Sequence, residues 1–472
     1  MNLLSLSFLF CFFLFFLVYW TLGKTVKIQN AMILLASSAL YITWSGFAFF
    51  LLAAVCVFSF YAVKIISVSN HQRAKGILVL SIVILVGILF IFKYYDFFAG
   101  EISRWLSVDG VFLSLVIPVG ISFYTFTNVG YVIDVYRGSR KAEASLMDYL
   151  SFGTFFPLIM SGPIERSTTL LPQFKVKRSF DYTLAADGGQ QVLWGLFKKM
   201  VIADNCASVV NYVFPNYSSQ PSSALIIGAV LYSFQIYFDF SGYSDIAIGL
   251  SKMLGFRVKT NFHYPYIALN ISDFWRRWHM SLQRWFTDYI YFPLGGSRCS
   301  KGRTLFNTFV VFAVCGIWHG ANWTFLVWGL YNAVLFVPYV LFFKGKTKKS
   351  ISDDAILPNP SDVLQILITF ILVTVGWIIF NSASMGDAVG YIAGCCDLSS
   401  LFMAPTGIGL SQVYSTIAIL FVVLVLEWVE KDRDYALQAK LPGWCRICVL
   451  YLLMYLLIFN RAGTADFIYL QF

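Results

Sequence analysis

Charge is what this chain has least of. Asp, Glu, Lys and Arg together make up 12% of its 472 residues, about half the roughly 25% usual in a water-soluble domain. No polar stretch is long enough to fold as a soluble domain. Histidine is scarcer still, with only His71, His263, His279 and His319. They are far apart, and no H-x-x-x-H or H-E-x-x-H pattern joins any two, so no metal is expected. There is no G-x-S-x-G elbow and no P-loop. Internal repeats and low-complexity tracts are also missing. The nine cysteines are scattered, most of them within apolar runs, where small buried hydrophobes are the expectation. Cys445 and Cys448 form a lone C-x-x-C, which without a second pair carries no metal or redox assignment.

What fills the chain is apolar: 58% hydrophobic residues and a mean hydropathy of +0.72. Runs of roughly 18 or more apolar residues, spread over the whole length, make lipid the solvent. An all-α, polytopic membrane protein follows. Candidate spans lie at about 3–22, 29–45, 47–66, 76–97 and 111–133, then at 190–209, 222–250, 304–319, 323–343, 362–381, 412–430 and 445–461. The first reads as a retained span, since it lacks a basic leader and a small-residue cleavage site. We read residues 1–472 as one membrane domain. It comprises N-terminal transmembrane helices (1–135), a core of broken helices (136–335) and C-terminal transmembrane helices (336–472).

The formal charge of +10, 34 basic against 24 acidic residues, does not imply a nucleic-acid partner. The basic residues cluster beside apolar spans: Lys24 and Lys27; Lys64, Arg73 and Lys75; Arg137, Arg140 and Lys141; Lys344, Lys346, Lys348 and Lys349. By the positive-inside rule these loops are cytoplasmic, and the N-terminus faces outward. The stretch 350–362 reads as a solvated linker.

Between about 145 and 320 the pattern changes. Apolar runs are cut by Pro, Gly and charge, and Asp239, Asp245, Asp273, Arg276 and Arg277 follow one another closely. Irregular charged backbone at membrane depth is tolerated only inside protein or around a wet cavity. Ionisable groups there are candidates for function. Within "ISDFWRRWHMSLQRWF", 271–286, tryptophans alternate with arginines as in an interfacial helix. Read as one helix, it places Trp275, His279 and Gln283 on a shared face, and Asp273 can cap the start or pair with Arg277. In "CGIWHGANW", 315–323, His319 lies beside Trp318 between Gly316 and Gly320, with Asn322 available to hold the imidazole tautomer or touch a ligand. Histidine is the side chain best poised for proton transfer near neutral pH. From the residues alone, His279 and His319 are equally open to structural hydrogen-bonding roles.

Five stretches taken in order resemble a known family: "ISFYTFTNVGYVIDVYRG", "FGTFFPLIMSGPIER", "FDFSGYSDIAIGLSKMLGF", the run 261–298 and "CGIWHGANWTFLVWG". Together they are similar to the membrane-bound O-acyltransferases, in particular the bacterial alginate O-acetylation branch. The resemblance is strong over roughly 110–335. It implies a ring of tilted transmembrane helices with short interfacial and re-entrant helices. His319 falls on the principal catalytic histidine, and His279 on a second polar position that is often Asn or Asp elsewhere. Trp318, Asn322, Arg276, Arg277 and Asp239 are candidates for positioning substrate. The implied reaction moves an acyl group from a cytoplasmic thioester, acetyl-CoA as substrate with no bound cofactor, to O-acetylate an exported polysaccharide. His319 acts as general base, while His279 orients or stabilises developing charge. The implied partners are an exported SGNH-type acetyltransferase, polysaccharide-synthesis proteins and membrane lipid, at the bacterial cytoplasmic (inner) membrane. The competing readings are a transporter or flippase, and a non-catalytic subunit of a glycan export machine.

Overall fold

The computed structural model describes residues 3–343, 357–438, 442–459 and 468. The basic run Lys344–Lys349 and the linker up to residue 356 lie outside them. Every regular element among the described residues is helical, as the composition predicts. Among the described residues, seven helices are long and apolar enough to cross a membrane. The chain divides into two compact units, residues 1–192 with 246–259, and residues 193–245 with 260–472.

The first unit opens with α1 (Leu6–Leu22), α2 (Val26–Ser45), α3 (Ala48–Val68), α4 (His71–Lys93) and the amphipathic α5 (Tyr95–Leu106). It continues with α6 (Ile121–Tyr136), α7 (Leu146–Gly153) and α8 (Phe156–Ile159). Ser5, Thr25, Asn70 and Ser145 start α1, α2, α4 and α7 by accepting a backbone N–H three residues on, which satisfies one otherwise orphaned donor of each helix. The span predicted at 111–133 begins as a helix only at Ile121. Pro118 lacks an N–H and disfavours helix before it, and Gly120 takes φ +71°. Upstream, the Asp96 carboxylate accepts the N–H groups of Leu113 and Ser114 at 2.7 and 2.9 Å, engaging that segment outside any helix. α3, α4 and α6 pack on one another, and α2 packs on α7. Arg178 is buried among neutral partners: Tyr19 Oη and Asn30 Oδ1 accept from it, each at 2.7 Å, and the Phe256 ring lies 4.7 Å away.

The division between units falls within α9 (Tyr182–Phe197) and α11 (Ser222–Met253), which flank α10 (Asp204–Val213). α11 is the most interior span: 78% of its apolar window is buried, against 17% for α4. Its acidic residues therefore face protein, not lipid. The predicted span at 190–209 is helical throughout, inside a longer run from 182 to 213 that passes through a π-helical turn, Lys198–Ala203. That turn buries two consecutive lysines. Lys199 Nζ lies 2.7 Å from both Asp204 and Asp239. Lys198 pairs with Asp245 and donates to Ser241 Oγ at 3.1 Å. Asp239 also accepts the Ile468 N–H at 2.8 Å.

The second unit then runs through α12 (Ile271–Arg277), α13 (Met280–Phe286), α14 (Lys301–His319), α15 (Trp323–Pro338), α16 (Pro360–Asn381), α17 (Met385–Cys395), α18 (Leu410–Val429) and α19 (Gly443–Phe459). α14 and α15 form a tight hairpin at a glycine seam. A Cβ on Gly316 would stand 2.3 Å from the Phe325 carbonyl oxygen, and one on Gly329 would stand 2.3 Å from that of Phe312. Small residues let membrane helices approach to backbone contact.

Two outcomes follow. Lys199→Met leaves two buried carboxylates uncompensated, which costs about 3–5 kcal/mol. Thermal unfolding in detergent should show that loss, and adding Asp204→Asn with Asp239→Asn should recover most of it. Gly329→Val overpacks the hairpin and costs roughly 1–3 kcal/mol. Gly302→Ala, with open space around its position, should leave the melting curve unchanged.

Candidate active site

The predicted single helix over 271–286 is two short helices with His279 at the joint. Asn270 caps the first by accepting the Asp273 N–H at 2.9 Å. The helix ends at Arg277, and His279 adopts φ +43°, ψ +53°. This left-handed conformation costs a non-glycine residue roughly 1–2 kcal/mol. Neighbouring strand-like contacts hold it: the Met280 N–H donates to Asn261 O at 2.8 Å, and the His263 N–H to Arg277 O at 2.9 Å. The break removes the face that the sequence predicts for Trp275, His279 and Gln283, and turns the imidazole inward. The ring is 1% exposed. Phe240 lies edge-on at 4.6 Å between centroids, and Phe262 is stacked at 6.3 Å. His279 Nδ1 is 3.1 Å from Asn261 Oδ1. Burial pulls the pKa of this ring down to about 3, so it is neutral at working pH.

His319 is the last residue of α14, and Gly320 continues in extended backbone. A Cβ at Gly320 would fall 2.2 Å from the Phe325 ring, so only glycine lets the chain leave the helix there. Three rings enclose the imidazole: Trp318 at 4.9 Å, Trp328 at 5.0 Å and Phe380 at 5.2 Å between centroids. Trp318 also reaches the His279 ring at 6.1 Å. One indole therefore touches both histidines, which are forty residues apart in sequence. Behind it, Trp278, Trp328 and Trp377 continue an aromatic wall, with centroids 4.9 and 5.7 Å apart.

The remaining predicted residues are placed elsewhere. Asn322 caps α15: its Oδ1 accepts the Thr324 N–H at 3.1 Å and its Nδ2 donates to Ala383 O at 3.0 Å. Its amide is thus spent on the chain, not on the His319 ring. Arg276 and Arg277 both pair with Asp273, at 3.0 and 3.2 Å, and Arg277 also donates to His263 O. Asp239 has both oxygens engaged, by Lys199 and by the Ile468 N–H. The structure thus groups His279, Trp318 and His319. Sequence reasoning missed Asn261 and the Lys198–Lys199 pair. Asn261 opens the family-like run 261–298, but nothing in "NFHYP" marks its side chain as a partner of His279, whereas "FKKM" inside an apolar run was a legible signal of buried charge.

Two buried imidazoles around one indole, walled by aromatic rings, can move a proton where water is scarce. Comparison with known proteins identifies the setting. The sequence pattern of the membrane-bound O-acyltransferase family matches residues 139–380. The chain is 35% identical to the "probable alginate O-acetylase AlgI" of Pseudomonas aeruginosa, over 92% of this chain and 83% of that protein. It is 28% identical to the peptidoglycan O-acetyltransferase of Helicobacter pylori, over 98% of this chain and 94% of that protein. It is 31% identical to the teichoic acid D-alanyltransferase of Bacillus subtilis, over 70% of this chain and 84% of that protein. With seven span-length apolar helices and this match over most of its length, the chain belongs to the membrane-bound O-acyltransferase family and is a multi-pass membrane acyltransferase.

Proposed function

We propose that this acyltransferase carries acetyl groups across the bacterial cytoplasmic (inner) membrane for O-acetylation of an exported polysaccharide such as alginate. The observation that carries the reading is the meeting of His279 and His319 at Trp318, in a chain matching an alginate O-acetylase over 92% of its length. The donor is a cytoplasmic thioester, acetyl-CoA. A hydroxyl of the acceptor attacks the thioester carbonyl. His319 takes the hydroxyl proton as the new C–O bond forms, and the same proton goes to the thiolate as the C–S bond breaks. His279, neutral through burial, orients the reacting groups. The immediate acceptor is the hydroxyl of an exported SGNH-type acetyltransferase, which then modifies the polymer together with the polysaccharide-synthesis proteins.

His319→Ala should lower transfer of radiolabel from acetyl-CoA to protein or glycan by about 10²- to 10⁴-fold, the usual contribution of a general base. Protein level and membrane insertion should stay unchanged. Normal polymer acetylation in that variant would sink the proposal.

A further inference from the structure

Asn261 makes more contacts at the site than any motif required of it. Its side-chain oxygen accepts the Ser281 backbone N–H at 3.2 Å and the Ser281 hydroxyl at 2.9 Å. Its side-chain nitrogen faces Ser244 Oγ on α11 at 3.3 Å. A backbone N–H can only donate, so the amide atom in front of Ser281 is the oxygen. The reversed amide would set donor against donor. That same oxygen lies 3.1 Å from His279 Nδ1. Nδ1 therefore carries the hydrogen, and in a neutral ring the other nitrogen, Nε2, carries the lone pair.

The geometry assigns Asn261 as a positioning residue that locks His279 in the Nδ1–H tautomer, so that His279 offers the acyl-transfer site a hydrogen-bond-accepting Nε2. In this state His279 has no hydrogen to donate to a tetrahedral oxyanion. This departs from the charge-stabilising half of the role that the family resemblance implies. A group of the acceptor that meets this nitrogen must be a hydrogen-bond donor, as a hydroxyl is. Asn261 acts as the third member of a hydrolase triad does, by fixing which nitrogen of the imidazole works. The inference rests on the reading above that His279 faces the reacting groups.

Phe240, Phe262, Trp318 and the Asn261 amide lie against His279, and none of these four titrates. His319 packs against Trp318, and Asp245 of α11 is paired with Lys198. A carboxylate at position 261 would therefore be a new charge on this ring. Asn261→Asp keeps an oxygen on Nδ1–H and stabilises the imidazolium. The acidic limb of the pH profile for acetyl transfer should move up by roughly 1–3 pH units, the effect of an opposite charge at this range. Asn261→Leu removes the lock.

Solid-state NMR of the full-length chain in proteoliposomes, with ¹⁵N-labelled histidine, reads the tautomer without any turnover, and His279→Gln identifies the His279 signals. The expected result is a protonated Nδ1 and a bare Nε2 in the wild type, with the other tautomer appearing in Asn261→Leu. A wild-type His279 protonated at Nε2 would overturn the lock. If the lock is seen but the Asn261→Asp profile superposes on that of the wild type, the use of Nε2 in transfer is overturned. Loss of the whole functional reading would show instead as no transfer from acetyl-CoA by the wild type, with the NMR result standing.

Discussion

Lys199, 1% exposed and 2.7 Å from each of two equally buried aspartates, is the contact on which the second unit depends. A lone ammonium or carboxylate away from water costs several kcal/mol, and the attraction between them offsets that only with close geometry. Here the geometry comes from a π-helical turn, which places Lys198 and Lys199 so that each meets α11. α11 is thus fixed at residues 239, 241 and 245. Between those anchors it presents Phe240 to the His279 ring and Ser244 to Asn261. The ion pairs set the register of the helix against which His279 rests.

The histidines themselves are set by failures of helical continuity. His279 turns inward because α12 stops at Arg277 and the next residues take a left-handed step. His319 ends α14 because Gly320 departs in an extended conformation that Phe325 would forbid to any larger residue. In lipid such breaks require that freed backbone groups find partners within protein. Asn261, Asn270 and Asn322 supply them. The aromatic wall of Trp318, Trp328, Trp377 and Phe380 closes round the pair, so that a proton moved there has few competing acceptors.

Much of this was legible in residue order. Interrupted hydropathy located the region that could not be lipid-facing, and "RRWHMSL" and "CGIWHGANW" drew attention to His279 and His319. The span at 111–133 was drawn too long because hydropathy registers apolar side chains and is blind to Pro118 and to Asp96 reaching across seventeen residues, and for the same reason the π-turn inside 190–209 went unseen. Asn322 was read as able to hold the His319 imidazole because it is near in sequence, and nothing pointed to Asn261 as a partner of His279. Hydrogen bonding answers to distance in space, and eighteen residues separate Asn261 from the ring it holds.

The sequence by itself determined the solvent, the all-helical class and the family, because these follow from composition, apolar run length and ordered motifs, each a property of neighbours along the chain. Only the tertiary structure decided that Trp318 joins the two histidines, that Asp239 serves Lys199, and that the Asn261 amide meets the His279 ring. Those are relations between side chains brought together from distant segments, and their energies depend on separations of a few tenths of an ångström that residue order does not encode.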